Sequence, residues 1–326
     1  MKLLLTGGAG YIGSVVSRHL LDAGHELTVL DNLGTGHRSA VAADAEFIEA
    51  DLRDPAAVGA ALGGGLDGVL HFAALSLVGE SVAFPERYWE NNVLGSLNLL
   101  NAMVAHDVPR LVFSSSAATY GIPEEVPIRE DAPTAPINPY GASKLAVDHM
   151  ISGFCVAHPL GAVSLRYFNV AGAHGEVGEA HDPEAHLIPN VLMVPLGERD
   201  SVAMFGTDYP TPDGTAVRDY IHVDDLALAH LLALDGARPH EHQIFNLGTG
   251  SGFSVREVIE AVARVTGVPI PIDAQDRRPG DPPALVASSE KITDELGWVP
   301  AKPTLEAMIA DAWAFAQTHP HGYSEA

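Results

Sequence analysis

Leu3-Leu4-Leu5-Thr6-Gly7-Gly8-Ala9-Gly10-Tyr11-Ile12-Gly13 opens the chain and decides its fold. Leu3 to Thr6 reads as a short buried strand, and Tyr11 to Ala23 as a helix that stops at Gly24. Gly7, Gly10 and Gly13 then occupy the turn between the two. Glycine lets backbone approach a pyrophosphate there, while free N–H groups and the positive end of the helix dipole stabilise the anion. The first glycine step is wider than in the commoner dinucleotide fingerprint. Downstream, Asp31 closes the apolar run Leu27-Thr28-Val29-Leu30. A carboxylate at the end of the second strand accepts hydrogen bonds from the adenosine ribose hydroxyls and repels a 2′-phosphate, so NAD is expected rather than NADP. An exposed acid ending a strand would look the same in isolation.

Working outward, Glu46 to Glu49, Gly68 to Phe72, Arg110 to Phe113 and Val163 to Tyr167 are further strand candidates separated by helical patterns. Such alternation predicts an α/β chain with a Rossmann-like, doubly wound parallel sheet and ligands beyond the strands' carboxyl ends. Asp51-Leu52, Phe72-Ala73-Ala74 and Ser114-Ser115-Ser116 all fall at those ends. Asp51 and Leu52 suit adenine recognition, and Phe72 to Ala74 a close pass of backbone over cofactor. Ordinary strand-to-loop transitions have the same composition. After Asn169 the alternation breaks. The expected division is a cofactor-binding domain over 1–169, with a return segment near 217–247, and a smaller, discontinuous mixed α/β substrate domain over 170–326.

Composition narrows the functions further. The 326 residues, 47% of them hydrophobic, suffice for a core larger than one small domain. A formal net charge of −24 disfavours nucleic acid and anionic membrane as partners. The single cysteine, Cys155, excludes an internal disulfide framework and suits a cytoplasmic location. The apolar start is too short for a signal or membrane-spanning segment.

The chemistry-bearing stretch is Asn138-Pro139-Tyr140-Gly141-Ala142-Ser143-Lys144. Residues four apart share a helix face, so the Lys144 ammonium is expected near the Tyr140 phenol, favouring its ionised form. Bringing a phenol from its usual pKa of about 10 to near 7 takes about 4 kcal/mol. Ser116, at the end of its strand, offers a hydroxyl to the same substrate oxygen. Together these groups suit the redox chemistry of an alcohol.

At this point the chain resembles the extended short-chain dehydrogenase/reductase family, in its UDP-hexose 4-epimerase branch. The shared marks run almost end to end: Thr6 to Gly13, Leu30 to Leu33, His71 to Ser81, Asn91-Asn92, Phe113 to Ser116, Asn138 to Lys144, Arg166 to Ala173, Val217 to Ala227 and Asn246 to Gly250. The resemblance implies a tightly held NAD and interconversion of UDP-glucose and UDP-galactose through a 4-keto sugar. Tyr140 would serve as base, Lys144 as holder of the nicotinamide ribose, and Ser116 as partner of the 4-oxygen. It places cofactor contacts on Gly7, Gly10, Tyr11, Ile12 and Gly13, then on Asp31, Asn32, Asp51 and Leu52. Further contacts follow at Phe72, Ala73, Ala74, Asn91, Ser114 and Tyr167, besides Tyr140 and Lys144.

For the second half the resemblance implies a sugar-nucleotide site. Asn169 would meet the hexose or diphosphate, and His186 and Leu187 would lie near the nucleotide. Phe205 would contact uracil, while Arg218, Arg278 and Asp281 clamp the diphosphate and uridine ribose. A guanidinium fork suits phosphate oxygens and offsets the global negative field locally. Arg218 beside Asp219 also reads as a surface ion pair, and Phe205 as core. Two departures stand out. Ser76 replaces a lysine common in the family, removing one contact to the NAD diphosphate. Leu285 stands where a tyrosine confines some members to unacetylated hexoses, which leaves activity on UDP-N-acetylglucosamine as a second expectation.

Sixteen histidines raise the question of a metal, above all His174, His181 and His186. Pro183 interrupts any helix that would align two of them, so no metal site is expected. Helices over Asn91 to His106 and Tyr140 to His158 carry apolar residues on more than one face, as expected of a homodimer or of a large core. The alternatives are a 4,6-dehydratase, disfavoured because Ala117-Ala118 follow Ser116 where acids are needed, and a non-catalytic NAD-sensing protein.

Overall fold

The computed structural model describes residues 1–278 and 281–323. Its first half alternates as β1 (Lys2–Thr6), α1 (Tyr11–Asp22), β2 (Glu26–Asp31), β3 (Glu46–Glu49), α2 (Pro55–Leu62), β4 (Gly68–His71), α3 (Gly95–Ala105), β5 (Arg110–Ser116), α4 (Pro139–Ala157) and β6 (Gly161–Tyr167). The second half brings β7 (Asn169–Ala171), β8 (Val202–Phe205), β9 (Val217–Arg218), β10 (Tyr220–His222), α5 (Val223–Gly236) and β11 (His242–Leu247). It continues with β12 (Phe253–Ser254), α6 (Val255–Thr266), β13 (Ile272–Gln275), β14 (Ala284–Leu285) and α7 (Leu305–Thr318). Shorter elements lie between these.

Seven strands form one parallel sheet in the order β11-β6-β5-β4-β1-β2-β3. The chain runs outward from β1 to β3, then resumes at β4 on β1's other side, which is the doubly wound arrangement expected from the alternation. Side chains in β1 show why both faces are covered. Leu3 and Leu5 pack with Val15, Val16 and Leu20 of α1 and with Leu226, Ala229 and Ala233 of α5. Leu4 points the other way, into Val58 and Leu62 of α2, Leu99 and Met103 of α3, and Val147 and Ile151 of α4. Burying a leucine side chain contributes about 1.5–3 kcal/mol, so an apolar run without polar breaks is stable only in this doubly covered setting.

A third core gathers Ile188, Val191, Met204, Tyr220, Val258, Ile259, Val262, Met308 and Ile309 around α6 and α7. Small sheets pair β8 with β13, β9 with β12 and β14, and β10 with β7. The return to the main sheet is narrower than the expected 217–247. Residues 217–222 pair with the small strands, α5 and β11 come back, and Ile292 and Trp298 further along join the same core.

The expected helix Asn91 to His106 is also modified. Trp89–Leu94 is wound as a π-helix, continuing into α3. That widened turn carries Asn92, which is buried and bonds both backbone groups of Leu75: its Oδ1 accepts from the N–H at 2.8 Å and its Nδ2 donates to the carbonyl at 3.0 Å. π-turns recur at functional sites, and this one ties the segment after β4 to the helix beside it.

Candidate active site

The glycine turn is shaped by contacts within the protein at two positions and left open at a third. Gly7 adopts φ +78°, and a Cβ there would lie 2.5 Å from the Ala73 nitrogen. A Cβ at Gly13 would lie 2.2 Å from the Gly7 carbonyl oxygen. Gly10 meets only that same oxygen, at 3.4 Å, so its bare backbone keeps the entrance to α1 clear. The first turn of α1 holds no acid and Gly10 provides no side-chain cap, leaving N–H groups for an anion. Tyr11 donates from its phenol to the Gly172 carbonyl at 2.6 Å, joining this turn to the second half, and Ile12 is partly buried beside it.

Asp31 is buried and its carboxylate accepts from the N–H groups of Ala9 and Leu33, each at 2.9 Å. Burial raises its pKa, and those backbone bonds oppose the rise. Asn32 donates to Asp51 at 2.9 Å, and Asp51 also accepts from the backbone and guanidinium of Arg53. These bonds hold the Asp51 carboxyl well below its usual range. Leu52 is buried against the helical layer, and Phe72, Ala73 and Ala74 lie partly exposed just beyond β4, next to Gly7. Ser76 is exposed.

At the end of β5 the expected reactive groups meet. Asn138 caps α4 by accepting from the Gly141 N–H at 2.8 Å, Pro139 takes the first helical position, and Tyr140 follows. A Cβ on Gly141 would sit 2.4 Å from the Ala118 carbonyl oxygen, so the glycine lets the start of α4 close against the turn after Ser116. Burial raises the Tyr140 pKa, and hydrogen bonding from Ser116 draws it back. The ring of Tyr88 meets that of Tyr140 edge-on, 6.4 Å between centroids.

Lys144 departs from expectation. Its ammonium donates to the Ser114 carbonyl at 2.7 Å and lies 4.9 Å from the Phe113 ring centroid. Burial lowers its pKa to about 8, against the opposing charge of Asp148. In the protein alone its charge does not bring Tyr140 down, because burial dominates the phenol's surroundings. The Ser114 hydroxyl pairs with the Tyr167 phenol. Asn91 donates to the Asn92 carbonyl oxygen of its side chain at 3.0 Å, and Asn92 in turn donates to the Ser143 hydroxyl at 3.1 Å. Asn92 thus fixes the active-site helix to the segment after β4. The sequence carries it in the Asn91-Asn92 motif, where the expected cofactor contact is its neighbour Asn91.

In the second half, Asn169 donates to the Asp219 carbonyl at 2.9 Å, joining the start of β7 to the residue between β9 and β10. Arg218 does not pair with Asp219. Its guanidinium bonds Asp281, while the fully buried Asp219 carboxylate accepts from Thr249, Gly250 and Ala287 and organises the loops behind it. Arg218 stands level with Leu285 in the pairing of β9 and β14. Arg278 lies over the Phe205 ring at 4.0 Å. Phe205 is partly exposed at the end of β8, so it is not a core residue.

His186 ends the irregular loop that follows Gly178, and Leu187 comes next. Leu187 starts a short helix, and the His186 ring bonds Glu179 at 2.7 Å and Glu184 at 2.9 Å. Pro183 does not keep His181 and His186 apart, since an irregular loop brings their rings to 5.1 Å without any helix. His174 lies apart, on Asp224 at 2.8 Å.

Residues 3–248 match the NAD dependent epimerase/dehydratase family. The chain belongs to that family. A UDP-glucose 4-epimerase of Streptomyces lividans is 59% identical over 99% of this chain and 98% of its own length. The crystal structure of the Bifidobacterium longum UDP-glucose 4-epimerase with NAD+ and UDP superposes with a TM-score of 0.94 at 40% identity, covering 99% of this chain and all of that one. A UDP-Glc/GlcNAc 4-epimerase from Campylobacter jejuni gives 0.87 at 39% identity, covering 97% and 99%.

Proposed function

We propose that this epimerase/dehydratase family member interconverts UDP-glucose and UDP-galactose by inverting C4 through a 4-keto sugar, using resident NAD. The observation that carries the reading is the close packing of the start of α4, which presents Tyr140, against the turn after Ser116 at the end of β5, next to a glycine turn whose helix N-terminus is free of acids. The open Gly10, the clear N–H groups and the capped loop at Asp31 fit a dinucleotide. NAD supplies hydride acceptance and return, and its oxidised ring adds a positive charge. The residues do the rest. Ser116 holds the 4-oxygen, and Tyr140 removes its proton and later returns one to the opposite face's product. Lys144, already buried one helical turn away, is a side-chain cation placed to offset the cost of a buried phenolate. To do so it turns from the Ser114 carbonyl toward the cofactor ribose and Tyr140.

The sugar nucleotide lies across Asn169 toward Arg218, Arg278, Phe205 and Asp281. Two guanidiniums there fit a diphosphate, and the Phe205 face fits a base. The domain division at about residue 169 accompanies this reading, with 223–247 returning to the cofactor half. Val82, Phe84, Trp89, Leu94 and Val156 are exposed hydrophobics flanking α3 and α4, which supports a homodimer across those helices. Among the described residues no helix is long and apolar enough to cross a membrane. The buried free thiol of Cys155 supports a cytoplasmic setting. Leu285 favours a second substrate, UDP-N-acetylglucosamine, because leucine leaves more room than tyrosine beside Arg218.

The test is to give purified protein UDP-galactose without added cofactor. UDP-glucose formation, with transient near-ultraviolet absorbance of reduced nicotinamide, is expected. Absence of turnover unless fresh NAD is consumed stoichiometrically would replace epimerisation by net oxidation.

A further inference from the structure

Glu179, His181, Glu184 and His186 present four ligand atoms that all lie within 4.8 Å of one another. They come from a single irregular loop. His181 Nδ1 stands 3.2 Å from Glu179 and 3.8 Å from Glu184, and His186 Nδ1 stands 2.7 and 2.9 Å from the same two carboxylates. Tetrahedral bonds of about 2.0–2.2 Å to nitrogen and oxygen place ligand atoms roughly 3.3–3.6 Å apart, within reach of small side-chain rotations here.

We propose that these four residues form a binding site for a divalent transition cation of the zinc class. Two imidazoles with two carboxylates suit zinc better than calcium or magnesium, which take oxygen donors. His181 Nδ1 is buried and, although 3.2 Å from a Glu179 oxygen, makes no well-directed hydrogen bond, which leaves its lone pair available to a metal once the ring is neutral. The Glu179 and Glu184 side chains are only 10% and 5% exposed, and the positive charge facing them comes from the His181 and His186 imidazoles, whose protons a cation would replace.

The surroundings are braced as a metal ligand shell is. Glu184 Oε1 accepts from the backbone N–H groups of Ala185 and His186 at 2.8 and 2.7 Å. Asn190 donates to the His186 carbonyl at 2.7 Å, and His37 bonds the Ala180 carbonyl at 2.9 Å. The negative charges of Glu179 and Glu184 also bear on Tyr11, at the entrance of the phosphate-binding helix. A cation here would staple the substrate half to the cofactor turn and relieve that charge.

Two other clusters fit a metal less well. His19, His174 and Asp224 form one, and His222, Asp224 and Asp311 the other. Lys302 donates to Asp224 at 2.9 Å and to Asp311 at 2.6 Å, so the place of a cation is taken by an ammonium. Among the described residues no such lysine bonds Glu179 or Glu184. The rival account of the four-residue loop is two imidazolium ions neutralising two carboxylates with no metal.

The proposal is independent of the substrate assignment, and its test uses Zn2+ and Co2+ alone. Chelator-treated, NAD-containing protein is dialysed against Zn2+ and its metal content measured. One ion per chain is expected, together with an intense visible spectrum of tetrahedral Co2+. His181→Gln and Glu184→Gln should each weaken Zn2+ binding at least tenfold, while Asp311→Asn keeps wild-type affinity. Failure of the wild-type protein to hold one Zn2+ overturns the site and leaves the ion-pair account. So does a stoichiometric ion lost in Asp311→Asn but kept in His181→Gln.

Discussion

The Asp148 carboxylate accepts two hydrogen bonds from the Arg166 guanidinium, at 3.1 and 2.8 Å, with both side chains almost wholly enclosed. Asp148 lies one turn beyond Lys144 on α4, and Arg166 belongs to β6, so the pair fixes the active-site helix on the sheet. Removing one partner leaves a buried charge unmatched. Asp148→Ala should cost about 3–5 kcal/mol in urea unfolding. Replacing both residues by apolar ones should recover most of that loss, and equal instability of the double variant would count against charge pairing as the cause.

Tyr140→Phe keeps the ring against Tyr88 and deletes only the phenol oxygen. Turnover of UDP-galactose should fall roughly 100-fold or more while NAD content stays at the wild-type level. Normal turnover would remove Tyr140 from the chemistry. Ser116→Ala should cost less than Tyr140→Phe, because it loses a hydrogen bond and retains the base.

Burial sets the folded Lys144 pKa at about 8, below its unfolded value of 10.5. Between those values the unfolded chain binds the extra proton, so this residue's contribution to stability rises with pH across the window and is lost as pH falls through it. Relative to Lys144→Met, the wild type should therefore lose on the order of 3 kcal/mol from pH 10.5 down to pH 8. Denaturant titrations of both proteins across that range supply the check. Parallel curves would mean that the ammonium is not penalised by its surroundings. The methionine variant should also be the more stable and the less active at neutral pH.

Leu285→Tyr should lower kcat/KM for UDP-N-acetylglucosamine roughly tenfold or more relative to UDP-galactose, since added bulk beside Arg218 opposes the acetyl group first. The comparison is made with both substrates on one enzyme preparation. An unchanged ratio would show that position 285 does not face the hexose.

Much of the first half was legible because its signals are local. Leu3 to Thr6, the three glycines and Asp31 lie within a few residues of the structures they specify, and the Asn138-Pro139 cap announces the helix that presents Tyr140. What escaped depends on contacts distant in sequence. The π-helical turn before α3 is identifiable only once Asn92 is seen to bond Leu75. The Lys144 ammonium finds a backbone carbonyl, which carries no residue-type signal. Arg218 turns from its neighbour Asp219 to Asp281, across 63 residues. The histidines after Gly172 were judged by helical spacing, and an irregular loop has no period by which to judge them.

Strand β11 completes the cofactor sheet beside β6, yet seventy-four residues separate Tyr167 from His242. During synthesis β6 therefore leaves the ribosome as a bare edge, with its carbonyls and N–H groups unpaired on one side and the α5 covering missing. The nucleotide half cannot reach its final state until most of the sugar half has been made. A fragment ending near residue 169 should aggregate through that edge instead of folding as an autonomous NAD-binding unit.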